Sequence, residues 1–360
     1  MAAVKASRQL FGQLPSGEDV VAIELARPGG IAVRLISYGA AIQSVRAPDR
    51  QGRLDEISYG HATLQAYLDA PQFAGATVGR VANRIAGARF ELDGRVFPLA
   101  ANEGGNALHG GACGFDKANW RIGDLGEDRV TFCHTSPDGD QGFPGRLEVA
   151  ATYRLDGNDR LSVEYRATTD APTLVNLSNH AYWNLAGAQG GRSAMGHWLT
   201  IAGDQYLPVG PDLIPTGELR PVAGTAFDFR QPRRIGERVR CAGEPQLCIG
   251  QGYDHNWVLG PAGAVAAGPC ARLFDPLSGR RMTIDTDQPG LQFYSGNFFN
   301  GTVAGHGDVL ARMGDFVALE PQGFPDAANQ THFPSIRLDP GQTYRKVIGW
   351  TFDLSEDRCP

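Results

Sequence analysis

The sequence predicts an all-β protein, a large antiparallel β-sandwich with few short helices. Three observations predict it. Apolar and polar residues alternate with period two in several segments, which is the mark of strands with one buried face. Turn-forming residues are abundant, with 47 glycines and 23 prolines in 360 residues, against averages of roughly 7% and 5%. Helical periodicity is scarce, so the regular alternation of helices and strands in a parallel α/β fold is missing.

Along the chain, Ile31, Val33 and Leu35 alternate with Ala32 and Arg34. Asp49 to Gly52 then reads as a turn. The best helical stretch is near Ala62 to Leu68, about two turns long. Phe90 and Leu92 precede Asp93-Gly94, and Val96 to Leu99 follow. Asp-Gly between apolar runs predicts a hairpin, because both turn positions favour positive φ. Asp138-Gly139 and Asp156-Gly157 are similar breaks. Leu147, Val149, Ala151 and Tyr153 form one alternating run, and Leu161, Val163, Tyr165 and Ala167 another. Gly260 to Gly268 reads as one loop. No linker or internal repeat divides the chain, so residues 1–360 are expected to form a single domain.

Composition excludes several functions. The hydrophobic fraction of 42% rules out wholesale disorder. The net charge of −6 is the wrong sign for a phosphate-backbone binder, so neither nucleic acid nor an anionic membrane is an expected partner. No apolar run approaches the roughly 18 residues of a membrane span. The N-terminal residues lack the order of a signal peptide. The six cysteines at 113, 133, 241, 248, 270 and 359 show no metal-site spacing. They are expected to be reduced and mostly buried, in a cytoplasmic protein. Phosphate-loop, nucleophile-elbow, zinc-protease and dinucleotide motifs are all absent from the sequence.

Seven turn-rich segments hold the polar candidates. They are Gly79-Arg-Val-Ala-Asn-Arg-Ile-Ala-Gly87, Asn106-Ala-Leu-His-Gly-Gly111, Ser136 to Gly145, Asn176-Leu-Ser-Asn-His-Ala-Tyr-Trp-Asn184, Gly252-Tyr-Asp-His-Asn-Trp257, Asp287 to Tyr294 and Leu319-Glu-Pro-Gln-Gly-Phe-Pro-Asp326. Several set Asn, His, Asp, Gln or Arg beside an aromatic residue. Sugars need that mixture, a ring for the C–H face and planar polar groups for the hydroxyls. Taken singly, each has a plain structural reading. His180 could be a satisfied turn residue, Asp254 an Asx-turn, and Glu320 half of a structural ion pair. Asp138 and Asp140 alone are too few ligands for a cation.

Taken together and in order, these segments resemble the aldose 1-epimerase (galactose mutarotase) family, from Ile36-Ser-Tyr-Gly-Ala-Ala-Ile42 to beyond Glu320. The resemblance implies a β-sandwich of the galactose-mutarotase-like type and an isomerase of carbohydrate (hexose) metabolism. It implies interconversion of the α and β anomers of a free aldose, with Glu320 as base and His180 as acid. An imidazolium at His180 would donate near neutral pH, where histidine ordinarily titrates. Substrate-binding roles fall on Asn83, Arg84, His109, Asp254 and Gln288. His109 could bind a hydroxyl or help carry charge. Asn83 could instead cap the turn presenting Arg84, and Gln288 could be structural. Of Tyr182 and Trp183, one at most should face the sugar, since a strand points them oppositely.

No cofactor and no metal are implied. The expected partner is a small-molecule aldose, with the chain a monomer or weak homodimer. Alternatives on the same scaffold are a hexose 6-phosphate epimerase, which needs extra cations, and a non-catalytic sugar-binding protein. Two segments depart from the family pattern, 326–332 and 230–250, and each is expected to reshape an edge of the cleft.

Overall fold

The computed structural model describes residues 3–69, 72–260 and 268–355. They form three principal antiparallel sheets, with two short α-helices, Leu64–Asp69 and Pro245–Gly250. The first sheet is a five-stranded meander from Lys5–Gln13 to Leu54–Glu56. The second has nine strands, with Arg160–Thr169 and Arg280–Thr286 flanking the long strand Tyr344–Leu354. The third has six strands, in the order Tyr182–Trp183, Val317–Gln322, Gly290–Tyr294, Asp254–Val258, Gln205–Leu207 and Arg220–Pro221.

The period-two segments account for the packing. Leu147, Val149, Ala151 and Tyr153 are buried in the main core, as are Leu161, Val163 and Tyr165 on the neighbouring strand. That core is one cluster running from Val4 to Phe352, and it joins inward side chains of all three sheets. Fully burying a large aliphatic or aromatic side chain contributes roughly 1.5–3 kcal/mol. Asp93-Gly94 closes the expected hairpin between Arg89–Leu92 and Arg95–Pro98. Asp49 accepts from the amides of Gln51 and Arg53, and Asp156 accepts from those of Asn158 and Arg160. These are the Asx turns that link their strand pairs. The short helix at Leu64–Asp69 buries Leu64 and Tyr67. The loop expected at Gly260 to Gly268 lies largely outside the described residues.

The six-stranded sheet positions the polar residues. Successive side chains of a strand point to opposite faces. Val317, Leu319, Leu291, Phe293 and Trp257 point into the main core. Glu320, Gln292, Asp254 and Asn256 are therefore turned to the other face. Glu320 pairs with Gln292, Gln292 with Asn256, and Asp254 with Tyr294.

The cysteine expectation needs correction. Among the described cysteines only Cys270 is buried; Cys113, Cys241 and Cys248 are exposed and Cys133 is intermediate. The exposed three sit in a turn (Cys113), an irregular segment (Cys241) and the short helix Pro245–Gly250 (Cys248) rather than on core strands. All five are free thiols. Among the described residues no helix is long and apolar enough to cross a membrane.

Candidate active site

Two loops close over the outer face of the six-stranded sheet. In the first, Asn83 adopts φ +64° and its side-chain Oδ1 accepts the Arg84 amide at 2.9 Å. In the second, His109 adopts φ +51°. The loops hold each other. The His109 amide donates to the Asn83 carbonyl at 3.1 Å, and the Asn83 amide donates to His109 Nδ1 at 3.1 Å. Their approach requires glycine. Gly110 has φ +93°, and a Cβ there would lie 1.9 Å from the Gly79 carbonyl oxygen.

His180 joins from a third segment. Its amide donates to the Ala76 carbonyl at 2.8 Å, and its own carbonyl accepts from Gly75 at 3.0 Å. The next residues divide as the strand geometry requires. Tyr182 lines the cavity, and Trp183 packs in the core, 6.1 Å from the Trp350 ring.

Together these elements enclose a cavity of about 260 Å³. That is just below the range for drug-sized ligands, roughly 300–1,000 Å³, and suits a single sugar ring. Its walls include Asn83, Arg84, His109, His180, Asp254 and Glu320. Phe73, Tyr182, Tyr294, Phe298 and Phe299 supply aromatic surface. The Phe73 ring lies 4.6 Å from His109 and 5.7 Å from His180.

The charges are arranged about Glu320. Its Oε1 is 3.6 Å from His180 Nε2, with both side chains nearly fully buried. Arg84 donates from Nε and Nη2 to Glu103 at 2.6 and 2.7 Å. Its Nη1 is 3.6 Å from Asp254 Oδ2. Gln292 Nε2 donates to Asp254 Oδ1 at 2.7 Å, reaching across from the neighbouring strand. Glu320 Oε2, His180 Nδ1 and Gln292 Oε1 are buried without a hydrogen-bond partner among the described residues. Buried polar atoms are nearly always satisfied, so these three have hydrogen-bonding capacity left unused.

Burial sets the protonation. It holds His180 down at about 4. It lowers His109 well below the usual value, with His180 and Arg84 acting in the same direction. Burial also pushes the Glu320 carboxyl well above its usual range; the Asp254 charge adds to this and Arg84 opposes it. Asp254 is raised by burial, against Arg84 and Gln292. Burial works against the Arg84 charge, but Asp254 and Glu103 more than offset it and its pKa is raised. Without substrate, burial thus disfavours the imidazolium expected at His180 and favours the neutral ring, and it favours the protonated form of Glu320, because a buried charge costs more than a buried neutral pair.

One measurable consequence concerns the histidines. A depressed pKa means the neutral ring contributes stability above the unfolded value of about 6.5, and loses it as pH falls toward the folded value. His180 at about 4 and His255 at about 3, both lowered by burial, should keep neutral imidazole signals in NMR titrations down to pH 5. Midpoints near 6.5 for every histidine would contradict the burial described. Glu320, being raised, has the opposite sign. Its contribution is full below about 4.5 and is lost as pH rises through its folded value.

Gln288 is not brought to this cavity. Its Nε2 donates to the Leu177 carbonyl at 3.1 Å and to the Tyr344 hydroxyl at 3.4 Å, and it lines a separate cavity with Asn176 and Lys346. It precedes the strand Gly290–Tyr294, so it is not on the strand face shared with Glu320. Gln292 occupies that face instead. The sequence held a usable signal for it: Leu291 and Phe293 are apolar, so the Gln between them belongs to the opposite face. Glu103, the bidentate partner of Arg84, gave no such signal, since it lies in the irregular loop before Asn106.

Several motif residues brace the site from outside. Arg80 donates to Ser136 Oγ and to the carbonyls of Ser136, Pro137 and Pro144. Asp326 accepts the Ala86 amide at 3.0 Å, and Asn329 donates to Asp326. Segment 326–332 therefore buttresses the Arg84 loop rather than forming an edge of the cavity. From segment 230–250, Gln246 lies within 3.2 Å of His255 Nε2, behind the strand that carries Asp254. Neither segment lines the cavity.

Comparisons with known proteins identify the family. The aldose 1-epimerase family model matches residues 21–351. Galactose mutarotase of Rattus norvegicus is 44% identical over 353 residues, covering 98% of this chain and all of that protein. Aldose 1-epimerase of Escherichia coli K12 is 38% identical over 340 residues, covering 94% and 96%. A solved aldose epimerase homologue from C. elegans superposes with a TM-score of 0.86 at 30% identity, covering 93% of this chain and 99% of that one. The chain belongs to the aldose 1-epimerase family.

Proposed function

We propose that the protein is a mutarotase, interconverting the α and β anomers of a free aldose by opening and reclosing the ring. The observation that carries this reading is the facing pair Glu320 and His180, 3.6 Å apart in a buried cavity. The sugar ring enters with its anomeric hydroxyl toward Glu320 and its ring oxygen toward His180. In the reactive complex the shared proton lies on His180. Glu320 removes the O1–H proton, C1–O1 becomes a carbonyl, the C1–O5 bond breaks, and O5 takes the His180 proton. Rotation about C1–C2 presents the other carbonyl face, and closure returns both protons. The open aldehyde thus coexists with protonated Glu320 and neutral His180, the state that burial favours in the unliganded site. Asn83, Arg84, His109 and Asp254 bind hydroxyls, with Gln292 holding Asp254 in place.

The charge balance in the cavity and on segment 230–250 separates this reading from a sugar phosphate. Arg84 is matched by Glu103 and Asp254. Arg230 pairs with Asp228 and Asp204, Arg233 pairs with Glu237, and Arg234 lies over Trp198. A phosphate dianion requires uncommitted cations. The facing acid and base likewise favour an enzyme over a sugar-binding protein. The exposed free thiols fit the reducing compartment expected from the sequence. The continuous core fits a single domain.

Polarimetry tests the reading. Fresh α-D-glucose, α-D-galactose and a pentose anomer should each reach an unchanged final rotation sooner with the protein present, and the rate order names the preferred sugar. Acceleration of glucose 6-phosphate alone, or of no sugar, would overturn it.

A further inference from the structure

His109, His180 and Glu320 each offer one donor atom, and the three atoms lie within 4.8 Å of one another. All three side chains are buried. The Asn83 amide engages His109 Nδ1, which leaves Nε2 as the open nitrogen. His180 Nε2 and Glu320 Oε1 are 3.6 Å apart. Two ligand atoms in a tetrahedral zinc site with bonds of about 2.0–2.1 Å are separated by roughly 3.3 Å. The widest edge must close by roughly 1.5 Å, a distance that side-chain torsions span. Burial keeps both imidazoles neutral, so their lone pairs meet little competition from protons. Two imidazoles and a carboxylate suit zinc and cobalt, whereas magnesium and calcium prefer oxygen ligands alone.

We propose that the cavity binds one divalent transition-metal ion through His109 Nε2, His180 Nε2 and Glu320, and that the bound ion excludes the sugar. The ion is held by the carboxylate form of Glu320, and any proton on that carboxyl leaves to solvent. It occupies the space between Glu320 and His180 that the anomeric centre needs. Metal binding stands on the donor geometry alone; inhibition rests on the function proposed above.

Titration of the whole protein with ZnCl₂ by calorimetry, and with CoCl₂ by visible absorption, tests both halves. One ion should bind per chain, with Zn²⁺ displacing Co²⁺. Saturating galactose should prevent binding. In His109→Gln and in Glu320→Gln, each checked for folding by circular dichroism, affinity should fall by at least the roughly 10–100-fold that loss of an outer-shell partner costs. Turnover in polarimetry should fall at least about tenfold as the site fills, since blocked chains do not turn over.

Absence of binding would overturn the proposal. So would binding that survives both substitutions but is lost in Cys241→Ser/Cys248→Ser, which would place the ion on surface thiols. Binding at the three residues with undiminished turnover would overturn the exclusion of sugar. Intact binding in a protein that accelerates no sugar would support the metal site and overturn the mutarotase reading.

Discussion

Glu320→Gln should lower turnover by a factor of roughly 10²–10⁴, the contribution of a positioned acid or base, while sugar binding stays measurable. The substitution keeps the shape of the side chain and removes its ability to take a proton. Its fold cost should be small. Burial already favours the uncharged form of Glu320, and a carboxamide is uncharged. The variant should therefore melt within a degree or two of the parent, and calorimetry with galactose should still register binding. Turnover near that of the parent, in a folded variant, would remove Glu320 as the base.

Arg84→Met should have the largest effect on stability. Arg84 lies between Glu103 and Asp254, and Asp254 is buried with its Oδ2 3.6 Å from the guanidinium. Removing one partner of a buried ion pair costs about 3–5 kcal/mol, because the other charge is left uncompensated. At roughly 2.1 cal/mol/K of unfolding entropy per residue, that lowers the melting temperature of a chain this long by about 4–7 °C. Glu320 also loses the one neighbour that holds its carboxyl down, so turnover should fall with stability. Glu103→Gln is the useful contrast. Glu103 is about one-third exposed, 35%, and water screens its pairing, so its loss should shift melting far less. Equal shifts for the two variants would show that burial of the Asp254 side is not what makes Arg84 important.

Much of this was legible in the sequence, for physical reasons that also mark where legibility ended. Strands with one face in the core announce themselves by alternation, as Leu147 to Tyr153 do. The same rule sets Tyr182 and Trp183 on opposite faces, and the fold puts Tyr182 at the cavity and Trp183 in the core. Glu320, His180, Asn83, Arg84, His109 and Asp254 lay in segments whose order matched a family, and the fold brings all six together. Gln288 was misplaced because its role was carried over from the resemblance alone, without asking which glutamine of the segment shares a strand face with the polar residues; Leu291 and Phe293 in Gly290–Tyr294 leave that face to Gln292. Glu103 was missed because an ion pair between two loops leaves no periodic trace. The lowered pKa of His180 was not legible because a residue type specifies an intrinsic pKa, while burial is a property of the finished fold.

The site is assembled from distant stretches of chain, and this governs when activity can arise. Asn83, Arg84, Glu103 and His109 come early, His180 near the middle, and Asp254, Gln292 and Glu320 late. A nascent chain that has emerged as far as Thr286 holds the acid and all four hydroxyl-binding residues, but neither Gln292 nor the base. Synthesis proceeds at roughly 5–20 residues per second, so roughly 12–47 seconds separate the first site residue from the last. Contacts so far apart in sequence also form slowly. Chemistry therefore begins only after Val317–Gln322 has paired with Gly290–Tyr294, one of the last pairings the ribosome makes possible.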